Sequence, residues 1–403
     1  MGLRRANNQD AFSVFPASDE QVWNQRGNLV LVADGMGAHA AGELASKLAV
    51  DTIPLTFHKL KNEPIPSALR SAINDANRII HDRGKANPEF EGMGTTVAGI
   101  SISPRGAYIA NVGDSRVYRL RGNRLQQLSF DHSLAWEIRA AGQSAAASSI
   151  PTNIITRSLG PAASVEVDIE GPFPVEAGDL FLACTDGLSG QVADEEMGAV
   201  LSTLPLGEAM DLLVNIANIR GGPDNITAVA CRVDENYSQA TTPIEDEQTT
   251  KKGKFIAGMH PVVLSVLVVS FLVVAVLWWF RVPPVYPAVA AIAGLIATLA
   301  SFVRYQPSGQ AMMPARQNRK PPYGTWSCEP NSHLVSRIAD CFAQVKDAAV
   351  EGEEVVTKFG AEQVELAEQA VTTEDWTAAM AAYGRAANDA IDQLKRQGIR
   401  GVS

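Results

Sequence analysis

The sequence predicts an α+β layered protein with antiparallel sheets, and three observations carry that prediction. Short β-branched or aromatic-rich runs bounded by Gly, Asp or Pro recur at 28–33, 97–102, 107–111, 116–120, 180–184 and 226–233. Helical periodicity fills 42 to about 60, 67–82, 133–141, 194–202 and 207–218. Several strand-like runs follow one another with only a turn between them. That favours antiparallel pairing with helices over the sheet faces, not a doubly wound parallel sheet.

At 403 residues the chain has length for two or three units, and this pattern occupies only residues 1–235. Hydrophobic residues make up 46% and charged ones 19%, enough for a sizeable core and against wholesale disorder. The formal net charge of -10 denies the chain the basic face a nucleic-acid backbone needs, so no nucleic-acid partner is expected. A single phosphate is still admissible, because metal ions attract anions into acidic surroundings. Cys184, Cys231, Cys328 and Cys341 have no CxxC spacing. They read as reduced thiols in a cytosolic compartment. The first ten residues contain no apolar run, so no signal peptide is expected, and Ala6 stands where a myristoylation motif wants Ser or Thr.

A polar to basic linker, 236–260, leads to two uncharged runs at 261–280 and 285–303. Each is long enough to cross about 30 Å of hydrocarbon as a helix, and they are expected to be transmembrane helices. Trp278, Trp279 and Tyr286 sit around the short connector, where an interfacial aromatic belt would lie. Ala290, Ala293, Gly294 and Ala297 suit close helix packing. Lys251, Lys252, Lys254, Arg304, Arg316, Arg319 and Lys320 flank the outer ends, against Arg281 alone in the connector. By the positive-inside bias the expected topology is a hairpin in the cell membrane, with both soluble parts cytoplasmic. A linker at 304–325 then gives way to a small all-α region, 326–403, with an apolar stripe of Leu334, Ile338, Phe342 and Val345 continued by Val355, Val356 and Phe359. Residues 374–387 faintly resemble one helix of a tetratricopeptide unit, and an ordinary helical hairpin fits as well.

Four carboxylates stand at strand ends, three of them beside a glycine: Asp34-Gly35, Gly113-Asp114, Asp186-Gly187 and Asp224-Asn225. Singly, such a pair is usually just a turn. Antiparallel pairing can bring all four to one rim, where crowded carboxylates need protons or divalent cations. Oxygen donors with few His or Cys nearby point to Mg2+ or Mn2+ rather than zinc. Gly35 would let a backbone carbonyl approach such an ion. Arg5, just ahead of the first acidic segment, has the planar fork that binds two phosphate oxygens.

The motifs Arg5-Ala6-Asn7-Asn8-Gln9-Asp10, Asp34-Gly35-Met36-Gly37-Ala38-His39, Gly94-Thr95-Thr96, Gly113-Asp114-Ser115-Arg116, Asp131-His132-Ser133, Thr185-Asp186-Gly187 and Gly222-Pro223-Asp224-Asn225 occur in that order. In this order and spacing the chain resembles the metal-dependent type 2C (PPM) Ser/Thr protein phosphatases, their bacterial branch in particular. The resemblance implies an α-β-β-α sandwich of two antiparallel sheets flanked by helices. It implies hydrolysis of phosphoserine and phosphothreonine in proteins by a water activated between two metal ions, opposite a Ser/Thr kinase pathway. Asp34 would bridge the ions, the Gly35 carbonyl would complete one, and Asp186 and Asp224 the other. Asp10 would support bound waters, Asp114 would serve a third, weaker ion, and Arg5 would hold the substrate phosphate.

Three departures stand out. Ala38 replaces the second glycine of a usual Gly-Gly-His, and Met36 replaces a histidine that eukaryotic members use to protonate the leaving group. That role falls to water or to His39, which also reads as a structural loop histidine. Only four residues precede Arg5, where the family has an edge strand; either that strand is lost, which would loosen the segment carrying Arg5, or the true start lies upstream. Residues 134–155 correspond to the family's variable flap, expected to contribute to substrate choice. The competing reading is an inactive membrane-bound scaffold presenting its C-terminal helices to partners; intact Asp34, Asp186 and Asp224 weigh against it.

Overall fold

The computed structural model describes residues 2–38, 40–143, 150–151, 154–237, 283, 320–350 and 360–396. Its first sheet comprises β1 (Asp10–Phe15), β2 (Asn28–Met36), β3 (Gly94–Thr95), β4 (Val97–Ser103), β5 (Gly106–Val112) and β8 (Asp168–Phe173), in the order β1-β2-β4-β5-β8 with β3 beside β2. The second has β6 (Arg116–Arg121), β7 (Arg124–Gln127), β9 (Leu180–Cys184), β10 (Ala228–Arg232) and β11 (Gly324–Ser327), in the order β10-β9-β6-β7-β11. Every paired strand is antiparallel, as expected.

Alternation along β2 shows why two layers form. Leu29, Leu31 and Ala33 point into a core under α2 (Ala41–Lys59) and α3 (Ile65–Ala86). Val32 points the other way, joining Ala98, Ile100 and Ile109 against Val117, Phe181 and Ala183 of the second sheet. Strands β4 and β5 are buried along their whole length, since both faces are covered. Ala68, Leu69, Ala72, Ile73, Ala76 and Ile80 line the buried stripe of α3 at three- and four-residue spacing. The short helix α1 (Glu20–Gln25) is capped by Asp19, whose side chain accepts from the Val22 N–H. At the free edge of the first sheet, Phe12 and Val14 of β1 remain 60% and 56% exposed.

The second sheet is covered by α6 (Asp194–Thr203) and α7 (Leu206–Ile219), with α4 (Leu134–Ala140) and α5 (Asp186–Ser189) shorter elements near its rim. The chain beyond residue 319 returns to this layer. Residues predicted as the end of a linker and the start of an all-α region instead begin with a strand: β11 pairs with β7, setting Trp326 opposite Leu125. Cross-strand pairing at an open sheet edge outweighs the helical bias of the downstream sequence. The helices α8 (Ser332–Val350), α9 (Ala361–Thr372) and α10 (Trp376–Arg396) come after it. Leu334, Val335, Ile338 and Met380 share one core with Leu201, Leu204, Leu212 and Leu213. Cys328 occupies the slot left by Gly198, where a Cβ would lie 2.1 Å from its Sγ. Buried Glu196 binds Arg220 at 2.7 Å and Arg337 of α8 at 2.9 Å, so its charge is paired on both sides.

Residues Met1–Thr242 and Arg319–Ser403 therefore make one compact unit, and Pro243–Asn318 another. The two uncharged runs expected to be transmembrane helices, 261–280 and 285–303, lie outside the described residues, as do Val355, Val356 and Phe359. Among the described residues no helix is long and apolar enough to cross a membrane.

Candidate active site

Register brings the aspartates together. On the first sheet, Asp10 of β1 lies directly opposite Asp34 of β2. On the second, Arg116, Cys184 and Ala228 share one row across β6, β9 and β10. Asp114 stands just before that row, Asp186 just after it, and Asp224 just before it on the third strand, so all three emerge at the same rim. Thr96 links the two rims: its hydroxyl accepts from the Asp34 N–H at 2.9 Å and lies 2.7 Å from the Ser115 hydroxyl.

The neighbours of these carboxylates are specific. The Thr185 hydroxyl donates to Asp10 Oδ2 at 2.9 Å and accepts from the Thr227 N–H at 3.0 Å. Asn225 accepts from the Gln9 N–H at 2.9 Å and donates to the Asn7 carbonyl at 3.1 Å, fastening the arginine segment to the last strand. Gly35 is required by packing alone, for a Cβ there would sit 2.1 Å from the Gly42 carbonyl oxygen and 2.5 Å from that of Gln9. Gly113 turns at φ 111°, and a Cβ would strike the Thr96 side chain at 2.6 Å. Buried His132 supports this turn by accepting the Gly113 N–H at Nδ1, 3.0 Å, which leaves Nε2 to donate to Asp168 at 2.9 Å.

Electrostatically the cluster is strained in favour of protons. Burial, reinforced by Asp224 and Asp186, pushes the Asp10 carboxyl up to about 6. Burial, then Asp186 and Asp131, pushes Asp114 up to about 7. Asp34 is held well above the usual carboxylate range by burial and by Asp10, Asp186 and Asp224. Asp186 is raised by burial and by Asp224. Asp10 Oδ1, Asp114 Oδ1 and Asp186 Oδ1 are buried without a hydrogen-bond partner. Buried acceptor oxygens that lack donors and crowd one another fit divalent cations. Among the described residues no group of three or more carboxylate, His or Cys side chains is already arranged to hold an ion.

Arg5 reaches the cluster. Its Nη2 donates to Asp224 Oδ2 at 2.7 Å, while the Asn225 N–H donates to Asp224 Oδ1 at 2.8 Å. In this arrangement the guanidinium faces a predicted metal ligand as well as the cleft. The segment before it is fastened too, through Arg4 N–H to the Gly222 carbonyl at 3.2 Å. Ala38 fits its loop, because Glu374 is the one non-glycine at positive φ among the described residues. His39 lies outside the described residues. Thr185, Asn225 and Thr96 were given no role by the sequence, although each adjoins a motif aspartate or shares its strand end.

The sequence profile described as "Protein phosphatase 2C" matches residues 4–221, more than half of the chain. The Listeria welshimeri serine/threonine phosphatase stp is 37% identical over 246 residues, covering 59% of this chain and 94% of that protein. The Streptococcus pneumoniae protein phosphatase PhpP is 33% identical over 247 residues, covering 59% and 97%. Among solved structures, the S. agalactiae serine/threonine phosphatase superposes with TM-score 0.50 at 34% identity, covering 58% of this chain and 96% of its own. The Mycobacterium tuberculosis phosphatase PstP/Ppp gives TM-score 0.50 at 33% identity, covering 58% and 95%. The chain belongs to the protein phosphatase 2C family. It is a protein-serine/threonine phosphatase.

Proposed function

We propose that this phosphatase hydrolyses phosphoserine and phosphothreonine in proteins with two divalent cations, Mn2+ or Mg2+, held by Asp34, the Gly35 carbonyl, Asp186 and Asp224, and a third at Asp114. The observation that carries the reading is the crowding of Asp10, Asp34, Asp114 and Asp186 at one rim, three of them with an orphaned buried oxygen. When bound, such ions supply Lewis acidity and acidify water for attack on phosphorus. Asp10, its Oδ2 held by Thr185, accepts hydrogen bonds from water in the cleft. Arg5 exchanges Asp224 for substrate and grips two phosphate oxygens with its fork. Helix α4 borders the bound peptide, and the enzyme counters a Ser/Thr kinase pathway.

The full chain should release phosphate from a phosphothreonine peptide when Mn2+ is added, and stop when a chelator is. Arg5→Lys keeps the charge but loses the fork, so KM for the peptide should rise by about tenfold. Turnover indifferent to chelator rules out the metal assignment; an unchanged KM in Arg5→Ala places the arginine outside the substrate's reach.

Tethering to the cytoplasmic face of the cell membrane is the second part of the proposal. The support is the charge bias around 261–303 together with a fold in which the chain leaves the catalytic unit after Thr242 and rejoins it at Arg319. Because both flanks belong to one folded unit, any membrane crossings between them must be even in number. A reporter that works only outside the cytoplasm, fused at Ser403, should stay silent, and a strong signal removes the hairpin.

A further inference from the structure

Helix α4 is braced by a residue that lies outside the region matched to the phosphatase family. Tyr323, on the returning chain, joins both sheets. Its N–H donates to the Gln127 carbonyl of β7 at 2.8 Å, and its hydroxyl donates to Glu170 Oε1 of β8 at 2.7 Å. Its ring meets Phe130 edge-on, with centroids 5.3 Å apart at 74°. Phe130 in turn meets Trp136 of α4 edge-on, at 6.3 Å and 85°. The same Phe130 is tied to the Asp114 turn, since Asn111 Nδ2 donates to the Phe130 carbonyl at 2.9 Å and to the Gly113 carbonyl at 3.1 Å. Helix α4 needs such support. It has seven residues and buries only Ala135. A helix that short has little stability of its own, and its placement is set by the side chains that hold it.

We infer that Tyr323 is a positioning residue for the phosphatase reaction: through Phe130 and Trp136 it sets where α4 stands over the cleft, and so the affinity for a phosphopeptide. This role rests on the proposed function, in which α4 borders the peptide. A small aryl phosphate, which fills only the phosphate end of the cleft, should not sense it.

Steady-state kinetics of the full chain on a phosphothreonine peptide and on an aryl phosphate test the role. Tyr323→Ala should raise KM for the peptide about fivefold, with kcat and the aryl-phosphate KM changed by less than about twofold. Tyr323→Phe keeps the ring and should stay within about twofold of wild type. Trp136→Ala should raise the peptide KM as well, and combining it with Tyr323→Ala should add nothing further. If Trp136→Ala raises the peptide KM and Tyr323→Ala does not, the brace is wrong while the flap reading stands. If neither variant moves it, the flap reading fails and Tyr323 has no role to play. Equal losses on both substrates make Tyr323 merely structural and overturn the proposal. Should Tyr323→Ala not fold, Phe130→Leu interrupts the same aromatic relay, and an unchanged peptide KM in that variant overturns the proposal equally.

Discussion

Replacing Asp34 or Asp186 by Asn should lower turnover by at least about a hundredfold, and should also raise the melting temperature of the metal-free protein at neutral pH. The first effect follows from removing a proposed metal ligand, the second from the buried charge. Both carboxyls are raised, by burial first and then by neighbouring aspartates. A carboxyl with a raised folded pKa binds more protons folded than unfolded. Its unfavourable contribution therefore appears as pH climbs above about 4, and is complete once pH passes the folded value. Each pKa unit is about 1.4 kcal/mol. Asn keeps the shape and removes the charge, so the chelated variant loses that penalty. Phosphate release and a thermal melt in chelator, at pH 5 and pH 7.5, give both readouts. A variant that melts lower at pH 7.5 than wild type would show that these aspartates are not held together against their own repulsion.

Cutting the chain after Thr242 should leave an unstable, aggregation-prone fragment, although relatives of about that length carry the name of phosphatases. Those relatives match only 59% of this chain while being covered over 94% to 97% of their own length. Here the outer face of α6 and α7 is built for a cover. Leu201, Leu204, Leu212 and Leu213 are sealed by Leu334, Val335, Ile338 and Met380, and Gly198 makes room for Cys328. Removing the cover exposes a contiguous apolar surface and strips the β7 edge of its partner. In the full chain, Ile338→Ala alone should cost about 2–5 kcal/mol, read as a fall in melting temperature. A fragment 1–242 that melts with the full chain would make the returning segment an accessory.

How legible was this in the sequence? The buried central strands and the long helices were, because β-branched runs and helical stripes record burial directly: Val97–Ser103, Leu180–Cys184 and Ile65–Ala86 sit where the pattern puts them. Three shorter or less apolar strands were not. Strands β7 and β8 mix charged or polar residues with apolar ones, and β1 leaves apolar Phe12 and Val14 exposed, so burial and hydrophobicity part company there. The brief β11 is four residues, Gly-Thr-Trp-Ser, whose extended form depends on Gln127 and Leu125 lying alongside. The site aspartates were legible because glycines and strand ends mark them. The side chains that aim them were less so: Thr185 and Asn225 look like ordinary turn residues until Asp10 and Gln9 arrive from the far end of the chain. That Arg5 rests on Asp224 depends on charges brought together only by folding.

The pairing of β11 with β7 also sets a schedule for biosynthesis. When residue 242 leaves the ribosome, the second sheet still lacks its outermost strand and the helices that cover α6 and α7 have not been made. The remaining stretch up to the end of α10 takes about 10–30 s at ordinary translation speed. During that interval the segment 243–318 emerges, so the catalytic unit closes only after the intervening segment has been made.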